Sequence, residues 1–253
     1  MTGPEVSFEN VSKSYDGALA VDDVSLIVAP ASFVALVGES GSGKSTLLKL
    51  VNRLIEPGAG AIHIGGEPIA ARDHVGLRRS IGYVFQNIGL FPHMTVAENI
   101  GIIPRLSGQV GGHDIGELLA LVGLAPDLAD RFPRQLSGGQ QQRVGVARAL
   151  AGGESLMLMD EPFGALDPVT RDQLGQAYRD LHDRLGLTTI MVTHDMAEAL
   201  LLADRVLVMR EGRIVADATP RELLASEQSG AAGELLAVPR RQAERIRALE
   251  QER

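Results

Sequence analysis

The segment GESGSGKST, from Gly38 to Thr46, combines three glycines with a lysine and hydroxyl residues in the spacing G-x-x-x-x-G-K-S. Its glycines allow backbone angles that a Cβ disfavours, so successive N–H groups can point into one concavity. Such a concavity binds phosphate. In this pattern Lys44 would reach the β- and γ-phosphates of a nucleotide, and the hydroxyl of Ser45 would bind Mg²⁺.

We therefore expect the whole segment to contact a nucleotide. The predicted contacts are Gly38, Glu39, Ser40, Gly41, Ser42, Gly43, Lys44, Ser45 and Thr46. This interpretation requires a buried strand before the loop and a helix after it. The apolar run Phe33 to Val37 predicts the strand, and apolar residues at helical spacing from Leu47 to Ile55 predict the helix.

A pair of carboxylates, Asp160 and Glu161, follows a second apolar run, Leu156 to Met159. Asp160 suits Mg²⁺, which prefers carboxylate oxygen and often binds it through water. Glu161 could then take a proton from an attacking water molecule. The alternative is a pair of acidic residues at a helix start before Pro162.

A third segment, LSGGQ, runs from Leu136 to Gln140. Ser137 and Gln140 have the spacing of a capping box, so a structural helix start is one interpretation. Gly138 and Gly139 would also expose backbone N–H groups in the first turn, which predicts a second anion site. One nucleotide site and one additional phosphate-binding helix start suggest that two chains complete each other's sites.

Four further residues have both a functional and a structural interpretation. His194 ends an apolar strand, where its imidazole could contact a γ-phosphate or orient Glu161, or could be a satisfied core histidine. Gln86 could bind Mg²⁺ or water, or lie in a solvated loop. Tyr15 could stack on an adenine ring or belong to an edge strand. Asp167 has the residue type and position of an N-cap for a helix that begins at Pro168, which is a structural interpretation.

The elements that position these residues follow from hydrophobic periodicity. Three apolar strands, Phe33–Val37, Leu156–Met159 and Thr188–Thr193, each end in a polar cluster. In an open parallel sheet, ligands bind beyond the carboxyl ends of the strands, so we expect these clusters to meet at one edge. Between Asn87 and Gly153 helical segments replace strands, which predicts a helical insertion.

Composition limits the classes of function. The chain has 253 residues and a formal net charge of −8, which argues against a nucleic-acid-binding surface. No apolar run approaches the length of a membrane span, and the N-terminal residues lack the pattern of a secretory signal. The absence of cysteine excludes disulfides, and the six scattered histidines lack the spacing of a zinc site.

Taken together, these segments resemble the ATPase subunit of an ABC transporter over about residues 4 to 230. GESGSGKS is similar to the Walker A loop, LSGGQ to the signature, and SLMLMDEP to the Walker B strand. By the same resemblance Gln86 is the Q-loop residue, also a metal contact, and His194 is the switch histidine. Asp167 belongs to the D-loop at the nucleotide, and Tyr15 lies where an adenine-stacking aromatic sits.

The resemblance implies an α/β fold of the P-loop NTPase type. A mainly parallel core sheet, an antiparallel β subdomain and a helical subdomain over about 87–153 would occupy residues 1–230. By composition, residues 231–253 would form a charged helical tail. The resemblance further implies that the cofactors are ATP and Mg²⁺. It implies that Ser45, Gln86 and Asp160 contact the metal, and that Glu161, Gln86 and His194 act in catalysis.

The implied partners are a second copy of the chain and integral membrane permease subunits docked near Asn87–Asn99. The ATPase would lie peripherally on the cytoplasmic face of the membrane, with a solute-binding protein acting indirectly. The segments Val51–Pro57 and Ile81–Ile100 look like those of importers of quaternary amines such as glycine betaine or choline. The alternatives are another solute, such as an amino acid or polyamine, a soluble ABC ATPase, or an ATP-gated scaffold without turnover.

Overall fold

A computed structural model describes residues 2–86, 88–108 and 114–225, together with Gly233, Glu234, Ala237, Arg241 and Arg245. Asn87 and most of the predicted tail 231–253 lie outside the described residues. In the part of the chain that is described, no helix has both the length and the apolar character needed to cross a membrane.

Ten strands and nine α-helices follow one another in the described residues. The strands are β1 (Val6–Tyr15), β2 (Ala18–Val28), β3 (Phe33–Val37), β4 (Ala59–Ile64), β5 (Glu67–Pro68), β6 (Gly82–Val84), β7 (Leu156–Asp160), β8 (Thr188–Val192), β9 (Arg205–Arg210) and β10 (Arg213–Ala218). The helices are α1 (Lys44–Val51), α2 (His74–Arg79), α3 (Val96–Ile100), α4 (Ile102–Ser107), α5 (Ile115–Leu121), α6 (Gly138–Leu150), α7 (Pro168–Leu185), α8 (Met196–Leu202) and α9 (Pro220–Ala225).

The strands form two sheets. The larger sheet has the order β10-β9-β3-β8-β7-β6, and its strands are parallel except for β10. The smaller sheet, of order β2-β1-β4-β5, is antiparallel. The predicted α/β architecture, with a mainly parallel core sheet, an antiparallel sheet and helices, is therefore confirmed.

The central strands are buried on both faces because layers cover the parallel sheet from both sides. All five residues of β3, β7 and β8 are buried, as expected for parallel strands. Side chains alternate between faces along each strand. In β3, Phe33 and Ala35 pack into the cluster that contains residues of α3 and of α5 to α9, whereas Val34 and Leu36 pack against α1 and the antiparallel sheet.

Helix α1 is shorter than the sequence predicts. It ends at Val51 rather than at Ile55, because Arg53 adopts a left-handed φ of 53° that an α-helix cannot continue through. The predicted helical insertion contains two short helices, α3 and α4, which join at Gly101. The strands β1 and β2 run up to a turn at Asp16 and Gly17.

Candidate functional site

The glycine loop between β3 and α1 accepts only glycine at two positions. A Cβ on Gly38 would lie 2.1 Å from the carbonyl oxygen of Met209, and one on Gly43 would lie 2.0 Å from that of Ala20. Both glycines also have positive φ, 151° and 104° respectively. The loop is therefore held against β9 and β2 at close range, and its glycines serve backbone geometry rather than flexibility.

Lys44 lies inside this loop, and only 6% of its surface is exposed. Its Nζ donates hydrogen bonds to the carbonyl oxygens of Gly38 and Glu39 at 2.8 and 2.7 Å, and to Ser42 Oγ at 3.2 Å. Burial lowers the pKa of Lys44, and the nearby carboxylates of Glu161 and Asp160 oppose that shift. These hydrogen bonds hold the ammonium group at the loop, where it can neutralise the charge of a bound anion.

Ser45 and Asp160 come into direct contact although 115 residues separate them: Ser45 Oγ donates to Asp160 Oδ1 at 2.7 Å. Asp160 ends β7 and is 2% exposed. Burial raises the pKa of its carboxyl group, while the bond from Ser45 and the charges of Lys49 and Lys44 lower it. This pair of oxygen donors fits a hard cation such as Mg²⁺, whose charge would favour the ionised carboxylate.

Glu161 and His194 form a second contact at the same edge of the sheet. His194 Nδ1 lies 3.4 Å from Glu161 Oε2, and the two side chains are 62% and 25% exposed. Glu161 has a φ of +50°, and its N–H donates to the carbonyl oxygen of Val192 at 2.9 Å. A non-glycine residue in this region is strained, and such strain concentrates at functional sites.

Two of the other predicted residues lie at the surface. Gln86 is exposed and follows β6, which pairs in parallel with β7, so it lies at the edge where Asp160 and Glu161 end. Tyr15 ends β1 and is 47% exposed. The Nζ of Lys13 lies 5.4 Å from the centroid of its ring.

Ser137 and Asp167 each cap a helix. Ser137 Oγ accepts from Gln140 N at 3.2 Å and Gln140 Oε1 accepts from Ser137 N at 2.9 Å, so the predicted capping box of α6 is confirmed. Gly138 is exposed, and a Cβ added there would meet only open space. Asp167 caps α7 by accepting from Thr170 N at 3.0 Å, and hydrogen bonds from Thr170 lower the pKa of its carboxyl group.

Sequence reasoning missed two buried polar residues of α6 that support the site. Gln142 is 2% exposed and its Nε2 donates to the carbonyl oxygen of Pro162 at 2.7 Å, next to Glu161. Arg148 is 7% exposed and donates to the carbonyl oxygens of Ile88 and Gly89 at 2.7 and 2.8 Å, just beyond Gln86. Both polar residues lie in phase with buried apolar positions of the helix, which was a usable signal.

The comparisons with known proteins agree on one family. The family model for "ABC transporter" matches residues 21–164. The choline transport ATP-binding protein OpuBA of Bacillus subtilis is 52% identical over 223 residues, which cover 87% of this chain and 58% of that protein. The glycine betaine uptake system ATP-binding protein YehX of Escherichia coli is 49% identical over 222 residues, or 87% of this chain and 72% of that protein.

A solved structure, the ATP-binding cassette MJ0796 in a dimeric post-hydrolysis state bound to ADP and Pi, is also similar. It aligns with a TM-score of 0.78 and 34% identity, over 85% of this chain and 99% of that chain. The chain spans a little over half the length of the first curated relatives that it matches. The family model, these identities and the geometry of the loop agree, and the chain belongs to the ABC transporter family.

Proposed function

We propose that this chain hydrolyses ATP and that the residues described above form half of the catalytic site. The observation that carries the proposal is the convergence of Lys44, the Ser45–Asp160 pair and the Glu161–His194 pair at one edge of the parallel sheet. Loops after β3, β7 and β8 supply these groups, and the carboxyl ends of adjacent parallel strands are where open α/β sheets bind ligands.

Each residue has a role that follows from its position. The loop Gly38–Thr46 binds the phosphates through its backbone N–H groups, and Lys44 neutralises the charge on the β- and γ-phosphates. Glu161 accepts a proton from the water that attacks the γ-phosphate. His194 holds the carboxylate of Glu161 in place or contacts the γ-phosphate, and Gln86 positions the attacking water or the metal.

Ser45 and Asp160 would hold Mg²⁺, with Gln86 as a further ligand. When bound, the ion neutralises charge that develops on the transferred phosphoryl group. The fit rests on the two oxygen donors, 2.7 Å apart and next to a loop that binds phosphate. Tyr15 would stack on adenine; its exposed position at the end of β1, next to the strand whose Ala20 lies close to Gly43 of the loop, supports this role.

The second half of the site comes from another copy of the chain. The N-terminus of α6 presents Ser137, Gly138, Gly139 and Gln140 with backbone donors that can face an anion. Two chains arranged head to tail would place this segment, with Asp167, against the nucleotide of the partner. The dimeric state of the similar cassette MJ0796 supports this arrangement.

Hydrolysis would drive solute import through separate integral membrane permease subunits, with the ATPase on the cytoplasmic face. The relatives support this role, since they are named as ATP-binding proteins of choline, carnitine and glycine betaine transport. Quaternary amines are therefore the proposed class of solute. A solute-binding protein would act on the permease and not on this chain.

Replacing Glu161 by glutamine tests the catalytic role. Glu161→Gln should retain ATP binding and lose ATP turnover by about 10²-fold or more, because an amide cannot accept the proton. With ATP and Mg²⁺ the variant should elute as a dimer in size-exclusion chromatography. Glu117→Gln, on the exposed surface of α5, is the matched control and should hydrolyse ATP like the wild type.

Two results would contradict the proposal. Turnover by Glu161→Gln equal to that of the control would remove the role of Glu161 as the base. A variant that binds ATP and still elutes as a monomer would contradict the two-chain site.

A further inference from the structure

The guanidinium group of Arg171 joins the two loops that carry the proposed catalytic groups. Arg171 lies in the first turns of α7. Its Nη2 donates to the carbonyl oxygen of Leu166 at 3.0 Å, in the loop after β7. Its Nη1 lies 3.2 Å from Asp195 Oδ2, in the loop after β8. One side chain therefore bridges the segment before Asp167 and the residue that follows His194.

Asp195 uses both of its carboxylate oxygens. Oδ1 caps α8 by accepting from the N–H groups of Ala197 and Glu198 at 2.9 and 3.3 Å, while Oδ2 receives Arg171. The N–H of Asp195 donates to Thr193 Oγ1 at 3.0 Å. The conformation of Asp195 is thus fixed from three directions, and one of these is the guanidinium group.

His194 depends on its neighbours for its position, because its own side chain is 62% exposed. On its N-terminal side Thr193 is 2% exposed. Its N–H donates to the carbonyl oxygen of Leu36 at 3.2 Å, and its side-chain Oγ1 accepts from the N–H of Asp195 at 3.0 Å. On its C-terminal side Asp195 is held by Arg171. The distance from His194 to Glu161 is therefore set by these two anchors.

The pairing of Arg171 with Asp195 contributes little to stability. The two side chains are 30% and 33% exposed, and ion pairs in such positions typically contribute about 0–1 kcal/mol. Moreover, Arg171 Nε is buried without a hydrogen-bond partner among the described residues, which costs free energy. The arrangement therefore fits a role in positioning better than a role in folding.

We propose that Arg171 is a positioning residue that sets the placement of His194 relative to Glu161 and couples it to the loop of Asp167. This inference rests on the proposed ATP hydrolysis. A movement of Asp167 by a partner chain would reach His194 through Leu166, Arg171 and Asp195. Loss of Arg171 should misplace His194 without changing the groups that bind the phosphates.

The test compares Arg171→Ala with Arg184→Ala, an arginine on the exposed surface of the same helix. Arg171→Ala should lower kcat for ATP by about 10- to 100-fold, as expected for misplaced catalytic groups. Its KM and its affinity for a fluorescent ATP analogue should stay within about twofold of the wild type, and Arg184→Ala should match the wild type. A loss caused by partial unfolding would instead lower the melting temperature and the affinity.

A double-mutant cycle tests whether Arg171 acts on His194 through Asp195. The second substitution is Asp195→Asn, which keeps the side-chain oxygen that caps α8. If Arg171 acts through Asp195, the double variant should lose no more kcat than Arg171→Ala alone. The inference would be overturned if the decrease of kcat in the double variant equals the product of the two single decreases, or if Arg171→Ala has the kcat of the wild type. If Arg171→Ala does not fold, Arg171→Lys combined with Asp195→Asn gives the same comparison. Wild type and Glu161→Gln are measured in the same assay. No hydrolysis by the wild type would refute the proposed function itself, whereas equal kcat values for the wild type and Arg171→Ala would refute only this inference.

Discussion

Replacing Gln142 by methionine removes a buried hydrogen bond next to the proposed base while keeping the length of the side chain. Gln142 Nε2 donates to the carbonyl oxygen of Pro162 at 2.7 Å, and both groups are buried. Methionine would leave that carbonyl without its donor. An unsatisfied buried polar group costs about 1–3 kcal/mol, and in a chain of this size each kcal/mol shifts the melting temperature by about 2–4 °C. We therefore expect a decrease of about 2–12 °C.

Thermal unfolding followed by circular dichroism, with urea unfolding as a second measurement, checks this value. Gln173→Met is the matched control, since Gln173 is exposed on α7 and exposed substitutions usually change stability by less than about 0.5 kcal/mol. A loss in Gln142→Met no larger than in the control would refute the reasoning that this bond holds Pro162. Because Pro162 follows Glu161, turnover of ATP should fall as well.

Two further predictions concern charged groups. Lys44→Ala should weaken nucleotide binding by at least about tenfold, because a hydrogen bond to a charged group is worth about 1.5–3 kcal/mol; titration with a fluorescent nucleotide measures this, and unchanged affinity would contradict the role of Lys44. For Glu154, burial raises the pKa of its carboxyl group above 4.5, so the folded protein binds the proton more tightly than the unfolded chain and loses stability as pH rises from 4.5 toward the folded-state pKa. Glu154→Gln should therefore be stabilised relative to wild type at about pH 7 but not at about pH 4; urea midpoints at both pH values check this, and an equal difference at both would count against it.

The strands that carry the site could be predicted because their sequences leave little choice. β3 is apolar throughout, β7 is apolar up to Asp160, and β8 is apolar after Thr188 and Thr189; glycine, carboxylate or imidazole groups stand at or just beyond their C-terminal ends. A mainly apolar run of this length fits a strand buried on both faces. Once the strands are parallel, their polar ends must share an edge, and contacts such as Ser45 with Asp160 follow from the topology rather than from separation in sequence.

Other elements gave no comparable signal. In β10 exposed and half-buried residues alternate, and its antiparallel pairing with β9 is supported by an ion pair between Arg205 and Asp217. Nothing in the residues of β10 alone distinguishes it from a polar loop. Similarly, Arg171 lies on a helix rich in charged residues, and its importance depends on Asp195, which folding brings to it from 24 positions away.

Behind the proposed catalytic edge, side chains from two helices hydrogen-bond to the loops that follow three neighbouring strands. Arg148 of α6 binds the loop after β6, Gln142 of α6 binds the loop after β7, and Arg171 of α7 binds the loops after β7 and β8. Helix α6 also begins at Ser137, in the segment proposed to meet the nucleotide of the partner chain. A force on that helix start would therefore act through Arg148 on the loop beyond Gln86 and through Gln142 on the peptide beyond Glu161. If the proposed two-chain site forms, the same helix would contact the partner's nucleotide and position this chain's own base, and hydrolysis would then depend on dimer closure.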